Sequence, residues 1–140
     1  MKKLIMFTAA AMLSFAANAN PYEWKVVRAV DGDTLEVEAA WLPTELGKTI
    51  RIRIYGVDTP EKGGRAKCPS EAARGEAATA FSKEKLKAAK KVVITIKEWD
   101  KFGGRILGDA ELDGKSLRAL LIESGNAREY FGDAKKSWCE

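Results

Sequence analysis

The stretch AVDGDTLEVE (residues 29–38) sets Asp31 and Asp33 on either side of Gly32, between apolar residues that alternate as in a strand. Asp31-Gly32 suffices to turn a hairpin, so Asp33 is a surplus carboxylate. A second acid, Asp58, follows RIRIYGV (51–57) and leads into Thr59-Pro60-Glu61. Pro60 fixes the local backbone, which holds the Thr59 carbonyl and the Glu61 carboxylate in a set relation. Asp33, Asp58 and a backbone carbonyl make an oxygen-only site, suited to Ca²⁺ or Mg²⁺ and not to zinc. Two aspartates cancel a divalent cation. Arg53 and Arg105 are then left facing a substrate, with Glu61 free to accept a proton. A phosphodiester gains a second negative charge as its five-coordinate transition state forms, and arginine forks match those oxygens. The set suits phosphodiester hydrolysis.

Taken singly, each residue has a plainer role. Asp33 could be a second turn residue, and Asp58-Thr59-Pro60 a simple strand exit. An EF-hand reading of Asp31 and Asp33 fails, because its twelfth position is Leu42, which supplies no bidentate carboxylate. The chain has no histidine. That removes histidine acid–base catalysis, Ser-His and Cys-His nucleophiles and His-ligated zinc. Hydrolysis here must run on carboxylates, Arg, Lys, Tyr and a hard metal.

The elements that would position these groups follow from periodicity. YEWKVVRAV (22–30) and TLEVEAA (34–40) predict a hairpin, and WLPTELG (41–47) a loop. KTIRIRIYGV (48–57) is a strand with Ile50, Ile52 and Ile54 on one face and Arg51, Arg53 and Tyr55 on the other. Breakers make DTPEKGGRAKCP (58–69) irregular. Ser70 is expected to cap a helix running to about Lys90, with Ala73, Ala77, Ala80 and Phe81 on its buried face. KVVITIKEW (91–99) and RILGDAEL (105–112) are the fourth and fifth strands. Ser116 caps a second helix whose Leu117, Leu120 and Leu121 share a face, and Gly125 ends it. The expected fold is mixed α+β: a five-stranded OB-type β-barrel with two helices, one between strands three and four and one after strand five.

VDGDT, RIRIYGVDTPE, DKFGGR and AELDGKSLRALLIESG occur in that order and resemble the staphylococcal nuclease-like (thermonuclease) family over nearly all of residues 22–131. The resemblance implies an OB-type barrel and Ca²⁺-dependent cleavage of DNA and RNA to 3′-phosphorylated products. It implies that Asp33, Asp58 and the Thr59 carbonyl bind calcium. Arg53 and Arg105 would hold the phosphate, and Glu61 would activate or position the attacking water. Lys101, Tyr130 and Phe131 fall where substrate contacts are expected. The chain departs from the family in three places. DKFGGR carries one glycine more than the usual Asp-Lys-Tyr-Gly-Arg, with Phe102 in place of tyrosine. The loop AAWLPTELG is longer than in the simplest members. The chain also stops soon after the second helix, where members often add a third.

The length, 140 residues, allows one domain with a real core. Residues 1–19 read as a signal peptide: a basic MKK, the apolar LIMFTAAAMLSFAA, and small residues at Ala17 and Ala19. The mature protein, residues 20–140, is then a single exported domain, periplasmic or secreted, free of the membrane and acting as a monomer. Losing Lys2 and Lys3 leaves 22 basic against 20 acidic residues, a net +2. Overall charge alone does not argue for a nucleic-acid partner. Export makes the two cysteines, Cys68 and Cys139, an expected disulfide that ties the chain end to the start of the first helix. The rival reading is a non-catalytic OB-type module that binds nucleic acid without cutting it.

Overall fold

The computed structural model describes residues 21–139; the expected signal peptide, residues 1–19, lies outside the described residues. The strands are β1 (Pro21–Tyr22), β2 (Val26–Asp31), β3 (Thr34–Glu38), β4 (Thr49–Ile54), β5 (Val57–Asp58), β6 (Val92–Trp99), β7 (Arg105–Leu112), β8 (Lys115–Ser116) and β9 (Arg128–Glu129). Helix α1 spans Pro69–Ala88, between β5 and β6, and α2 spans Leu117–Glu123, after β8. Short 3₁₀ turns occupy Thr44–Leu46 and Gly63–Arg65. No helix among the described residues is long and apolar enough to cross a membrane.

The main sheet runs β1-β6-β7-β4-β3-β2, with β8 added on β7, while β5 and β9 form a separate pair. Only β4 and β7 pair in parallel, Arg51 beside Arg105; the other ladders among the described residues are antiparallel. The expected mixed α+β fold with two helices forms, and no closed barrel is found among the described residues. No ladder among the described residues joins β2 back to the β1–β6 edge, so the sheet stays open, and α1 packs against β2. Five strands are long enough to show a period of two; the four two-residue strands show none and were not legible. The expected first strand is broken as well. Tyr22 pairs with Ile94 of β6, and Trp24 stacks on the Tyr22 ring at 4.8 Å before β2 begins.

The β-strands pack by simple alternation. Ile50, Ile52 and Ile54 of β4 are buried together with Leu35 and Val37 of β3, Ile94, Ile106, and Leu117 and Leu121 of α2. Ser116 caps α2 by accepting the Ala119 N–H at 3.1 Å, and Gly125 ends it at φ +76°.

Helix α1 corrects two expectations. Its N-cap is Cys68 rather than Ser70, with Pro69 in the first turn, where a missing N–H costs nothing. Its buried residues are Glu71, Gly75, Ala78, Thr79 and Ser82, whereas Ala73, Ala77 and Ala80 are exposed and Phe81 is half-buried. Close approach selects that face. A Cβ on Gly75 would lie 2.3 Å from the Glu61 carbonyl oxygen, and one on Gly32 would lie 2.8 Å from the Ala78 methyl. The buried hydroxyls are satisfied: Ser82 donates to the Gly32 carbonyl at 2.6 Å and Thr79 to that of Gly75 at 2.9 Å.

Candidate active site

The β2–β3 turn delivers Asp33 into the protein, 7% exposed. Thr34 sits opposite Arg53 in the β3–β4 ladder, so Arg53 stands over Asp33 and pairs with it, Nη1 to Oδ2, at 2.6 Å. The same guanidinium donates to the carbonyls of Ile54 (3.3 Å) and Val57 (3.0 Å). Its Nε–H and a second Nη2–H have no protein acceptor among the described residues. Burial pushes the Asp33 carboxyl up to about 6; Arg53 opposes the rise, and the Asp31 carboxylate beside it adds to it. Hydrogen bonds from the hydroxyls of Thr34 and Thr59 favour its ionised form. Asp31 is therefore more than a turn residue. One of its oxygens meets Arg65 at 3.2 Å, and the other, Oδ1, is buried without a partner.

Asp58 ends β5 and is likewise buried, at 6% exposed. Its partners come from the far end of the chain. The Trp138 indole N–H donates to Oδ2 at 3.0 Å, and the Lys135 ammonium meets Oδ1 at 2.8 Å. Asp58 also borders a cavity of about 470 Å³ whose wall includes Arg128, Tyr130, Phe131 and Lys136. Two of the expected substrate residues, Tyr130 and Phe131, thus share a cavity with an expected metal ligand. Lys101 is exposed, its ammonium 5.2 Å from the centre of the Phe102 ring.

Arg105 opens β7 beside Arg51, and Gly103 and Gly104 absorb the extra residue before it by both adopting positive φ, +71° and +70°. Through Nε, Arg105 binds the buried Asp100 carboxylate. Burial alone would raise the Asp100 pKa. The hydrogen bonds from Arg105 and the Phe102 N–H, with the charges of Arg105 and Arg53, outweigh it and hold the group below the usual range. Asp100 therefore feels both arginines. It fixes one edge of Arg105 and leaves the Nη edge open.

Glu61 is half-exposed and paired with Arg65 Nε at 3.2 Å. The buried Glu71 accepts the Glu61 N–H at 3.3 Å and the Lys67 N–H at 2.7 Å, tying both ends of the 61–67 loop to the first turn of α1. Cys68 and Cys139 are disulfide-bonded, Cα to Cα 6.0 Å, at that same helix start.

The donors around Asp31, Asp33, Asp58 and Thr59 are carboxylate, hydroxyl and carbonyl oxygens. Asp33 and Asp58 are each countered by a cationic side chain, and one buried oxygen of Asp31 has no partner. By donor type alone, these oxygens suit a hard divalent cation and not a thiophilic metal. Residue spacing did not single out Asp31, Glu71, Asp100 or Trp138. Asp100 and Glu71 left faint signals, an acid ahead of a Gly-Gly turn and an acid three residues after a helix cap. Trp138 left none.

Residues 51–138 match the model of the staphylococcal nuclease homologue family. That stretch holds Arg53, Asp58, Thr59, Glu61 and Arg105 and starts after Asp33. Similar relatives include an uncharacterized endonuclease of Escherichia coli, 34% identical over 107 residues, 76% of this chain and 60% of the relative. The thermonuclease of Staphylococcus hyicus is 33% identical over 116 residues, 82% of this chain and 63% of the relative. The SPbeta prophage-derived endonuclease YokF of Bacillus subtilis strain 168 is 35% identical over 106 residues, 74% and 33% of the two chains. The chain thus spans about three fifths of the length of the first two of these relatives. On the family match and these identities, the chain belongs to the staphylococcal nuclease homologue family.

Proposed function

We propose that the protein is an exported, calcium-dependent nuclease that hydrolyses phosphodiester bonds of DNA and RNA, leaving 3′-phosphorylated products. The observation that carries this reading is the pair of arginines on adjacent parallel strands, each clamped by a buried aspartate on one side and open on the other. Asp33, Asp58 and the Thr59 carbonyl would hold the cation. Bound there, a divalent ion would supply positive charge that offsets the charge gained by the phosphate. Arg53 meets the phosphate through its open Nε–H and Nη2–H, and Arg105 through its Nη edge; both forks stay charged as the transition state gains its second negative charge. Glu61 takes a proton from water as the water oxygen attacks phosphorus. The bond from phosphorus to the 5′ oxygen breaks, and that oxygen leaves as a hydroxyl by taking a proton from solvent water. Tyr130 and Phe131 offer ring faces to a base in the cavity beside Asp58, and Lys101 a charge to the backbone. Export is supported by the leader-like N-terminus and by the disulfide, a bond of oxidising compartments.

The test is the initial rate on denatured DNA and on RNA, at matched millimolar Ca²⁺ or Mg²⁺ and with chelator. Calcium should support cleavage and magnesium much less, because Ca²⁺ accepts an irregular shell at about 2.3–2.6 Å and Mg²⁺ demands a tight octahedron. Glu61→Gln should lower kcat by at least about 10²-fold with nucleotide binding kept. Equal rates in both metals, or an active Asp33→Ala protein, would overturn the metal assignment. Binding of DNA with no cleavage under any condition would make the protein a binding module instead.

A further inference from the structure

Asp58 is the one acid of the site whose side-chain oxygens are both held by the end of the chain. Trp138 is 6% exposed, and its indole N–H finds its acceptor in Asp58 Oδ2. Arg128, which faces Asp58 across the β5–β9 ladder, lies 3.7 Å over the Trp138 ring and donates through Nη1 to the Ser137 carbonyl at 2.8 Å. The indole is thus held, by its N–H and by Arg128 over its ring, against the strand pair that carries its acceptor. The next residue, Cys139, is bonded to Cys68 at the start of α1. Lys135, half-exposed, reaches Asp58 Oδ1 from the same segment.

We infer that residues 135–139 form a clasp in which Trp138 is a positioning residue for Asp58, and that the Cys68–Cys139 bond holds the clasp, so that its redox state sets the cation affinity of the site. The inference rests on the cation site proposed above. The two contacts act in opposite senses. Trp138 is a neutral donor: it fixes the carboxylate rotamer through Oδ2 and leaves Oδ1 to a ligand, as groups behind metal ligands do. Lys135 is a cation on Oδ1 itself. It competes there, and its exposure lets it swing into water when displaced. Reduction by dithiothreitol gives the two sulfurs two electrons and two protons, breaks the Sγ–Sγ bond to two thiols and oxidises the reductant to its cyclic disulfide. The last residues then lose their covalent anchor.

The experiment is calorimetric Ca²⁺ titration of oxidised wild type, Trp138→Phe, Lys135→Met and reduced, alkylated wild type, with near-UV circular dichroism to report the fold. The exchange rate of the Trp138 indole proton is followed by NMR before and after reduction. Trp138→Phe should bind calcium at least about tenfold more weakly, within the range for a lost group behind a ligand. Lys135→Met should bind equally or a few-fold more tightly. The reduced protein should approach Trp138→Phe, with its indole proton exchanging faster. A folded Trp138→Phe protein within twofold of wild type would overturn the inference. If that variant does not fold, the wild-type indole proton decides: unchanged protection and affinity after reduction overturn the inference, and loss of both supports it. A wild type that binds no calcium overturns the proposed cation site and this inference together, whereas binding that ignores Trp138 overturns this inference alone.

Discussion

Asp33 and Asp58 are buried to the same degree but held in opposite ways. Asp33 is built locally: a two-residue turn aims it, the adjacent strand brings Arg53 over it, and α1 closes beneath the turn through Ala78 and Ser82. Asp58 stands on a two-residue strand, and its partner Trp138 is 80 residues away in sequence. One acid is anchored in the sheet; the other depends on the chain end and its cross-link. The hairpin side should therefore be rigid and costly to disturb, and the tail side adjustable.

The strongest way to break this contrast is Arg53→Ala. The Arg53 and Asp33 side chains are 14% and 10% exposed, so the substitution strips a buried carboxylate of its partner. The expected loss of stability at pH 7 is about 3 kcal/mol, and cleavage should fall roughly 10³-fold. Without Arg53 the Asp33 carboxyl, already raised to about 6, rises further and takes a proton more readily. The loss in denaturant melts should therefore shrink as pH falls toward 6 and level off below it. Lys135→Ala, on the half-exposed side of Asp58, should cost less than about 1 kcal/mol. Equal costs for the two variants would end the distinction between a fixed and an adjustable side.

The same division separates what the sequence reveals from what it hides. Asp33, Arg53 and Asp58 stand out because strand alternation and turn chemistry dictate where they point. Residue spacing alone does not reveal Trp138, because its role arises from a contact between chain segments 80 residues apart. The buried face of α1 departs from expectation for a related reason. An alanine-rich helix has no apolar stripe, so the face is chosen by closeness to Gly32 and Glu61, which favours Gly75, Ala78 and Ser82 over Ala73 and Ala77. Whether the sheet closes was not legible either, because strand order along the chain does not say whether the first and last ladders meet.

Gly75→Ala sharpens the comparison at intermediate cost. In a free helix, alanine is favoured over glycine by about 1 kcal/mol. Here the new Cβ would lie 2.3 Å from the Glu61 carbonyl oxygen and 2.9 Å from the Lys62 nitrogen, both backbone atoms. The helix or the loop must shift, so net stability should fall by about 1–3 kcal/mol. Because Glu61 moves with its backbone, kcat should drop between about tenfold and a hundredfold. Calcium affinity should change little, since the loop touches neither Asp33 nor Asp58 through Gly75. A stabilised variant with full kcat would show that the approach of α1 to this loop is looser than the structure has it.

The smallest effect separates two carboxylates three residues apart. Burial raises Asp33, whereas Glu36 is lowered: the Thr49 hydroxyl, which donates to it at 2.6 Å, acts most strongly, burial opposes it, and Arg28 adds to the lowering. The signs for stability are opposite. A raised acid favours the fold most when protonated, so the Asp33 contribution is lost as pH climbs from about 4 through 6. A lowered acid contributes above its unfolded value of 4.5 and loses that contribution as pH falls through the folded one. Arg28 is 55% exposed at the side chain, so solvent screens the pair. Glu36→Gln should cost no more than about 0.5 kcal/mol at pH 7 and nothing near pH 3. Melts in chelator across that range check it. A loss above about 1 kcal/mol, or one that grows toward acid pH, would mean that Glu36 carries more of the fold than a screened surface pair does.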